Sequence, residues 1–507
     1  MSKTPSRRLY NLVQSLSGPE KRYFKVATRT DGESKYLHLF LAIEEQAVFD
    51  EKLLQQAVYG DEPIQGKKFS ELKAYLYNLV LKHLQQYDEQ TSVDFQLKSL
   101  LLDVRSLYRR WLLTDCRYVL KRAKKLAYQY ERYGDVLAVI SWEKQLAYAS
   151  ANIDFLDDNL ARLRQEEETC LANMANIKAY QALFYELYTL MRKNTRNTPT
   201  WKEELETVIN HPLLAAESQC QTFHSRVLFY RIHSILRHQS RQLDEFYHYG
   251  KKLLQVMESE PVLLQEDVSH YIAALSNFAT SCGYLKAYDE MQECLQKLKK
   301  VNPITLDDAQ KIHSQYYANY FALCINTGNF AEGLRLLKKH FKEAERLDKR
   351  LFERNSFLFQ YFYIYFGAND FSQALTYLNQ WLDLPHTVEQ QDLQHLAHLL
   401  NLVVHFEMGN SILLSSLLRS TQRNLQKRGR FNAFEQVFWQ CLRQVNQLPG
   451  QREQQPVFQQ CWQKIKALEL SASDRSMLRF FDFESWLESK ASRKDFATVI
   501  QLKAAAP

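Results

Sequence analysis

Apolar residues recur every three or four positions along most of the chain, which is the spacing of amphipathic helices. A clear early case is the segment from Lys67 to Tyr87. Its apolar side is formed by Phe69, Leu72, Leu76, Leu79, Val80 and Leu84. Helix starts and stops are marked as well: Ser17 and Glu20 have the spacing of a capping box, and Asp50 precedes a helical segment that Gly60 ends. The first part of the chain is therefore predicted to form several short helices.

From about residue 91 a longer pattern repeats, in which turn-forming residues precede a large anchor residue and a small residue follows three places later. The clearest anchors are Tyr284, Phe330, Phe371 and Ile412, spaced 46, 41 and 41 residues apart. Weaker anchors extend the series, and they are Tyr118, Phe155, Trp201, Leu243, Phe458 and Phe496. A period near 42 in a helical chain is typical of stacked helical hairpins.

Each part of this pattern has a physical role in a hairpin. Gly, Asn and Asp reverse the chain between helices because they tolerate positive φ. The large anchor is expected to fill the space between two helices. The small residue lets the helices approach closely, and it is Ala287, Gly333, Ala374 or Ser415 in the four clearest cases. A single hairpin cannot bury its own apolar face, so hairpins stack on their neighbours into a solenoid.

The segments around Phe330 and Phe371 resemble tetratricopeptide (TPR) repeats, although the period exceeds the usual ~34 residues and the closing Pro is absent. Three further strings resemble the opening of a family of uncharacterised bacterial TPR-like proteins. They are LSGPEKRYFK at 16–25, KFSELKAYLYNLVLK at 68–82 and AKKLAYQYE at 123–131. This resemblance covers roughly the first 150 residues. It implies a fold and a bacterial cytoplasmic setting, and it implies no known activity.

The fold predicted from these patterns is all-α. We expect a superhelical solenoid of about ten TPR-like helical hairpins, with a cap of short helices at the N-terminus. The predicted domains are a helical cap over residues 1–90 and the helical-repeat solenoid over residues 91–507.

Composition narrows the class further. The chain holds only 13 Gly and 11 Pro in 507 residues, whereas ordinary chains carry roughly 12% of the two together. This scarcity excludes collagen-like, Gly/Pro-rich disordered and turn-dense all-β proteins. Hydrophobic residues make up 46% of the chain, which excludes intrinsic disorder.

The sequence also predicts a cytoplasmic protein. Its eight cysteines show no C-x-x-C spacing, so they are expected to be reduced and mostly buried. No secretory signal is expected, since the residues after Met1 lack an apolar core and a cleavage site. The charge-free stretch from Ile312 to Ala331 contains several polar residues and is predicted to be a buried helix and turn rather than a membrane span.

Charge is unevenly placed along the chain. Residues 1–130 hold 22 Lys and Arg against 15 Asp and Glu, which accounts for the whole net charge of +7. The surplus is densest in a candidate basic patch formed by Arg105, Arg109, Arg110, Arg117, Lys121, Lys124 and Lys125. Such a patch could hold nucleic acid, an acidic protein segment or an anionic lipid surface. The alternative is a solvated helix face, because Leu120, Ala123 and Ala127 fall on the opposite side.

A second candidate surface is aromatic. Seven of the ten residues from 357 to 366 are Phe or Tyr. In TPR-like proteins the first helix of each pair lines the concave face, and by that analogy Tyr320, Tyr361 and Tyr365 are candidates to contact a bound peptide. The alternative is that these tyrosines belong to the core between repeats.

Motifs for catalysis and cofactors are absent from the sequence. There is no G-x-G-x-x-G, Walker loop, G-x-S-x-G or H-E-x-x-H. His395, His398 and His405 share a helix face, but their span of ~15 Å is too long for one metal ion to contact both ends. They are therefore expected to be partly buried histidines at a helix contact. No metal and no cofactor are predicted.

The leading functional prediction is a non-catalytic scaffold that binds a protein or peptide segment on the concave face of the solenoid. A second hypothesis is a regulator whose basic N-terminal quarter contacts nucleic acid while the solenoid senses a ligand. A third is an enzyme without a recognisable motif. The sequence does not identify the partner, since fold alone does not determine function.

Overall fold

The computed structural model describes most of the chain: residues 7–28, 34–60, 66–89, 92–192, 198–345, 347, 352, 355–384, 391–427, 433–468, 478 and 480–506. These residues form 25 α-helices, two short 3-10 helices and no β-strand. The all-α class predicted from the sequence is therefore confirmed.

The helices follow one another along the chain. The first nine are α1 (Arg8–Ser15), α2 (Gly18–Ala27), α3 (Lys35–Glu45), α4 (Glu51–Tyr59), α5 (Gly66–Glu89), α6 (Val93–Tyr108), α7 (Leu113–Gln129), α8 (Tyr133–Ala149) and α9 (Ile153–Arg192). The next eight are α10 (Pro199–Ile209), α11 (Phe223–Gln239), α12 (Leu243–Ser259), α13 (Pro261–Glu266), α14 (Val268–Tyr284), α15 (Tyr288–Lys300), α16 (Leu306–Thr327) and α17 (Phe330–Ala344). The last eight are α18 (Asn355–Gly367), α19 (Phe371–Leu382), α20 (Gln391–Glu407), α21 (Ser411–Lys427), α22 (Ala433–Val445), α23 (Gln451–Lys466), α24 (Phe483–Ser492) and α25 (Phe496–Ala505). The 3-10 helices are Pro212–Leu214 and Glu217–Gln219.

The predicted helix boundaries near the N-terminus are confirmed. Ser17 accepts a hydrogen bond from the backbone N–H of Glu20, whose side chain accepts one from the Ser17 N–H in return. The Asp50 side chain caps α4, and Gly60 ends that helix with a φ of 62°.

The chain divides into two compact units. Unit 1 comprises Met1–Arg192 and Ala215–Arg226, and unit 2 comprises Lys193–Leu214 and Val227–Pro507. Helices α1–α5 of unit 1 surround a hydrophobic core of their own, which extends from Leu9 to Val80. The boundary predicted near residue 90 stays a prediction, because the two units divide the chain elsewhere.

Successive helices of unit 1 reverse through one recurrent turn. Helix α6 packs against α7, α7 against α8, and α8 against α9. The residues between them have positive φ: Trp111 at 60°, Glu131 at 51° and Ala151 at 46°. In each turn a backbone N–H after the positive-φ residue donates to a carbonyl five positions earlier, which closes the helix end. Residues other than Gly therefore make these turns, which explains how the chain manages with so little Gly.

Unit 2 uses the same turn at longer intervals. Positive φ occurs at Arg241, Lys286, Gly328, Asn369 and Gly409, which lie 40 to 45 residues apart, and again at Arg493. Helix α14 packs against its hairpin partner α15 and also against α12 and α16, and α16 in turn packs against α17 and α18. The recurrence seen in the sequence thus has a structural counterpart in this region, whereas a solenoid of about ten hairpins stays a prediction.

The proposed role of anchor and small residues holds in only part of the series. Phe330 is buried, and a Cβ on Gly333 would come within 2.9 Å of the Ile364 side chain, so a small residue is needed there. The anchor prediction is wrong at Ile412 and Tyr284, which are 89% and 52% exposed. Ile412 faces solvent in the first turn of α21, and Tyr284 belongs to the end of α14 rather than to the start of the next helix.

The C-terminal helices of unit 2 return to its middle. The Gln501 side chain donates to the Gly328 carbonyl at 3.0 Å, and the rings of Phe330 and Phe496 stack with centroids 6.0 Å apart. The Asp482 N–H donates to the Tyr363 hydroxyl at 3.2 Å. In a simple solenoid each hairpin contacts only its neighbours, so unit 2 departs from the linear stacking that the sequence led us to expect.

The positive-φ turns give a stability prediction. We expect Arg241→Gly to raise the free energy of unfolding by about 0.5–1 kcal/mol, because a side chain at a φ of 59° is strained and Gly is not. Urea unfolding measures this change. Lys252→Gly, at an exposed position inside α12, is the control and should lower stability by about 1 kcal/mol. If both variants lower stability equally, the turn at Arg241 is not strained.

Candidate functional site

Helix α7 carries most of the candidate basic patch, and it is strongly amphipathic. Its buried side contains Cys116, Leu120, Ala123 and Ala127. The opposite side carries cationic residues at helical spacing. The amphipathic pattern thus fixes which face of α7 is basic.

A groove of about 450 Å³ lies along this basic side, where α7 meets α8 and the start of α9. We call it the α7–α9 groove. It is lined by Arg117, Leu120, Lys121, Lys124, Lys125, Tyr128, Glu143, Leu146, Ala147, Asn152 and Phe155. Leu120, Leu146 and Ala147 are buried and form an apolar floor. The groove therefore combines an apolar base with a cationic rim.

Lys124 has a structural role within this groove. Its Nζ lies 3.0 Å from carboxylate oxygens of both Glu143 and Glu166, so it joins α7 to α8 and α9. The Tyr128 hydroxyl also donates to Glu166. Burial opposes ionisation of Glu166, but the hydrogen bonds from Tyr128 and Lys124 lower its pKa below the ordinary value. The same burial and hydrogen bond raise the pKa of Tyr128.

The other three cations of the groove are not neutralised. The Arg117 guanidinium donates to the Ser150 hydroxyl at 3.1 Å, which is a neutral partner. Lys121 and Lys125 are exposed. Within the described part of the chain, none of the three pairs with a carboxylate, so each is available to an anionic group from outside.

The remaining members of the basic patch lie elsewhere. Arg105 is exposed near the end of α6, and Arg109 and Arg110 are exposed in the turn that follows it. The Arg110 guanidinium donates to the Ser106 carbonyl at 2.8 Å. The structure thus brings Arg117, Lys121, Lys124 and Lys125 together and leaves these three outside the groove.

The predicted tyrosine surface is not assembled as expected. Tyr361 does not line an open groove, because it is 3% exposed and belongs to the core of unit 2. Tyr320 is half-buried, with its hydroxyl 3.4 Å from Glu332, and Tyr365 is half-buried and stacked on Tyr377. Helix α18 is apolar on all sides, and the core therefore takes the side chains that the TPR analogy assigned to a surface.

Tyr361 instead ends a buried chain of polar groups. Its hydroxyl is hydrogen-bonded to His340 at 2.5 Å, and His340 is hydrogen-bonded to His313 at 3.1 Å. The Tyr317 hydroxyl donates to Glu343, whose carboxylate also lies 3.7 Å from His313. Burial, and to a lesser extent the charge of His313, lowers the pKa of His340 to about 3.

The three histidines of α20 have separate outcomes. The His405 side chain is buried, as expected, and its Nδ1 lies 3.2 Å from the Asn410 amide. His398 is exposed, so the expected burial is wrong at that position, and the side chain of His395 lies outside the described residues. No three His, Cys, Asp or Glu side chains in the described ranges are grouped so that they could hold a metal ion. All eight cysteines are free, and seven of them are buried.

Several groove residues were missed by the sequence analysis. Glu143, Leu146 and Asn152 lie on α8 or in the turn after it, and nothing in their local pattern points to a site. These residues belong to the groove only because α8 packs against α7, and the sequence does not show that packing. Phe155 was noticed only as a weak repeat anchor, and it lines the groove instead.

A scan of this chain against protein-family models finds no match, and a search of curated proteins finds no similar sequence. The resemblance to bacterial TPR-like proteins therefore stays a prediction. Among the described helices, none is both long enough and apolar enough to cross a membrane.

Proposed function

We propose that the protein is a non-catalytic binding scaffold, and that the α7–α9 groove holds an acidic, partly apolar segment of a protein partner. One observation carries this proposal: three cations without carboxylate partners, Arg117, Lys121 and Lys125, flank an apolar floor in a groove of about 450 Å³. The groove has room for a few side chains of an extended or helical segment.

Charge complementarity favours an acidic partner. Lys124 is already engaged by Glu143 and Glu166, whereas no carboxylate of the described residues pairs with the three other cations. A carboxylate placed beside them gains attraction without displacing an existing ion pair. Rim charges of this kind mainly set the association rate and the choice of partner.

The apolar floor favours a segment that is not purely acidic. Phe155 is half-buried at the edge of the groove, and Tyr128 remains 41% exposed. An apolar side chain set between them removes further surface from water, at about 25 cal/mol per Å². Alternating acidic and large apolar residues therefore fit this groove better than a simple acidic tract.

The test uses a fluorescent peptide in which Glu alternates with Leu and Phe, together with a twin in which every Glu is replaced by Gln. We expect the acidic peptide to bind the full chain and the Gln twin to bind far more weakly. In fluorescence anisotropy at low salt, Lys121→Glu/Lys125→Glu should weaken binding about tenfold or more, because each reversal replaces an attraction with a repulsion.

The matched control is Arg105→Glu/Arg110→Glu, which makes the same change in net charge outside the groove. This variant should keep most of the affinity. Equal losses in the two double variants would show that only net charge matters, and failure of the acidic peptide to bind would overturn the proposal.

Nucleic acid is a second candidate partner, favoured by exposed aromatic residues beside the patch. Trp111 is 63% exposed and Tyr118 is 67% exposed, and both lie among arginines on which a single strand could be held by stacking and charge. An oligonucleotide arm of the same experiment separates the two partners. Trp111→Ala/Tyr118→Ala should weaken oligonucleotide binding about tenfold or more and leave peptide binding unchanged.

A further inference from the structure

Unit 2 contains a second cavity, of about 770 Å³, that is framed by the turns of four successive hairpins. The turns are 367–371 between α18 and α19, 407–411 between α20 and α21, 446–451 between α22 and α23, and 492–496 between α24 and α25. We call it the four-turn cavity. Its size falls within the range of small-molecule sites.

The two carboxylates on its wall are already satisfied within the protein. Glu407 accepts a hydrogen bond from the Trp486 indole at 2.6 Å and pairs with Lys490 at 2.5 Å. Asp495 accepts from the backbone N–H of Ala497 at 3.1 Å, at the start of α25, and from the Asn369 amide at 3.0 Å. Neither carboxylate needs a cation from outside.

The cavity is lined by one more cation than carboxylates, because Lys490, Arg493 and Lys494 stand against Glu407 and Asp495. Arg493 and Lys494 line it, and both are exposed and lack an ion-pair partner among the described residues. They stand at the turn between α24 and α25, which the Asn369–Asp495 hydrogen bond holds against the turn between α18 and α19. The cavity therefore carries a net positive charge at a position that the fold fixes.

Six of the other lining residues carry side-chain amides, and phenylalanines such as Phe366, Phe406 and Phe458 form part of the wall. The amide residues are Asn369, Asn410, Asn446, Gln447, Gln451 and Gln454. Side-chain amides donate and accept hydrogen bonds but do not neutralise charge. A wall of this kind suits a small polar molecule rather than an apolar one.

We propose that the four-turn cavity binds a small molecule bearing carboxylate or phosphate groups, with Arg493 and Lys494 as the residues that hold its charge. This site is separate from the α7–α9 groove, and it does not depend on the function proposed for that groove. A bound anion bridges the last hairpin to the turns of the three before it, so it should stabilise the return of α24 and α25 onto the middle of unit 2.

Titration calorimetry on the full chain tests this proposal, with citrate and inorganic pyrophosphate as probes at matched ionic strength. Binding of citrate alone assigns a carboxylate ligand, and binding of pyrophosphate alone assigns a phosphate ligand. Binding of both supports the shared anionic chemistry. If neither probe binds at millimolar concentration, the proposal is wrong.

Arg493→Gln/Lys494→Gln should weaken binding of the active probe about tenfold or more, since it removes two charge-assisted contacts. Lys299→Gln/Lys300→Gln makes the same charge change at exposed positions at the end of α15, away from the cavity, and should leave binding unchanged. Equal losses in the two pairs would overturn the assignment of the site. Thermal midpoints without ligand, expected to be the same for all three proteins, show that the variants fold.

Discussion

Trp486→Ala is expected to destabilise unit 2 by about 3–5 kcal/mol, because it removes a fully buried indole from the centre of a packed aromatic group. The Trp486 ring contacts Phe406, Phe438 and Phe458 with centroids 5.7 to 6.0 Å away. The change also removes the indole hydrogen bond to Glu407, which is left with Lys490 alone. The loss of ring packing and the loss of this hydrogen bond both lower the stability of unit 2.

Hydrogen exchange of peptides from α20–α24, followed as a function of urea, measures this loss in unit 2 separately from unit 1. Trp486→Phe is the matched control: it keeps most of the buried ring but loses the hydrogen bond to Glu407, so it should cost about 1–3 kcal/mol. A loss below about 1 kcal/mol for Trp486→Ala would mean that the aromatic group around residue 486 is not a tightly packed core.

Local patterns in the sequence predicted the helices well. The caps at Ser17 and Asp50 involve residues within three positions of each other, so their geometry is contained in a few adjacent letters. The scarcity of Gly and Pro correctly excluded turn-dense folds. It did not reveal that residues such as Arg241 and Lys286 would adopt positive φ, because only the geometry of the finished turn requires it.

The candidate site was predictable only in part. The stripe from Arg117 to Lys125 follows from helical spacing alone, and the structure keeps it together. The engagement of Lys124 by Glu166 was not predictable, since the two residues lie on different helices and are 42 positions apart in sequence. The sequence therefore indicated where cations cluster, and the packing determined which of them remain free.

The tyrosines show the opposite case. Tyr361 was chosen by analogy with the concave face of TPR proteins, but the same aromatic pattern is satisfied by burial. The return of α24 and α25 onto the middle of unit 2 covers Tyr363 and other α18 residues with Phe481 and Phe496. These contacts span more than 100 residues of sequence, and no periodic pattern specifies them. The four-turn cavity arises from the same return and was likewise invisible in the sequence.

We expect unit 2 to lose stability in mild acid, because it contains histidines that burial keeps neutral. In the folded chain His340 stays neutral, since its pKa is lowered to about 3, whereas in the unfolded chain it takes up a proton near pH 6.5. The unfolded state thus binds more protons between these two values. The contribution of neutral His340 to stability is fully present above about pH 6.5. Below that pH the free energy of unfolding falls by about 1.4 kcal/mol per pH unit because of this group. His340 alone should cost about 3 kcal/mol at pH 4.5.

His340→Phe isolates this effect, because it removes the titrating group from the chain of contacts with His313 and Tyr361. The variant is expected to be less stable at pH 7.5, where the Tyr361 hydroxyl loses its partner. Between pH 6 and pH 4 its stability should fall less steeply than that of the parent chain, by about 1.4 kcal/mol per pH unit. Burial also lowers the pKa of His313, His233, His238 and His405, so the variant keeps a slope of the same sign from those groups. Urea unfolding of both proteins across this range gives the two slopes. Equal slopes would show that His340 takes up its proton in the folded state as readily as in the unfolded one, and hence that the core around it admits a charge.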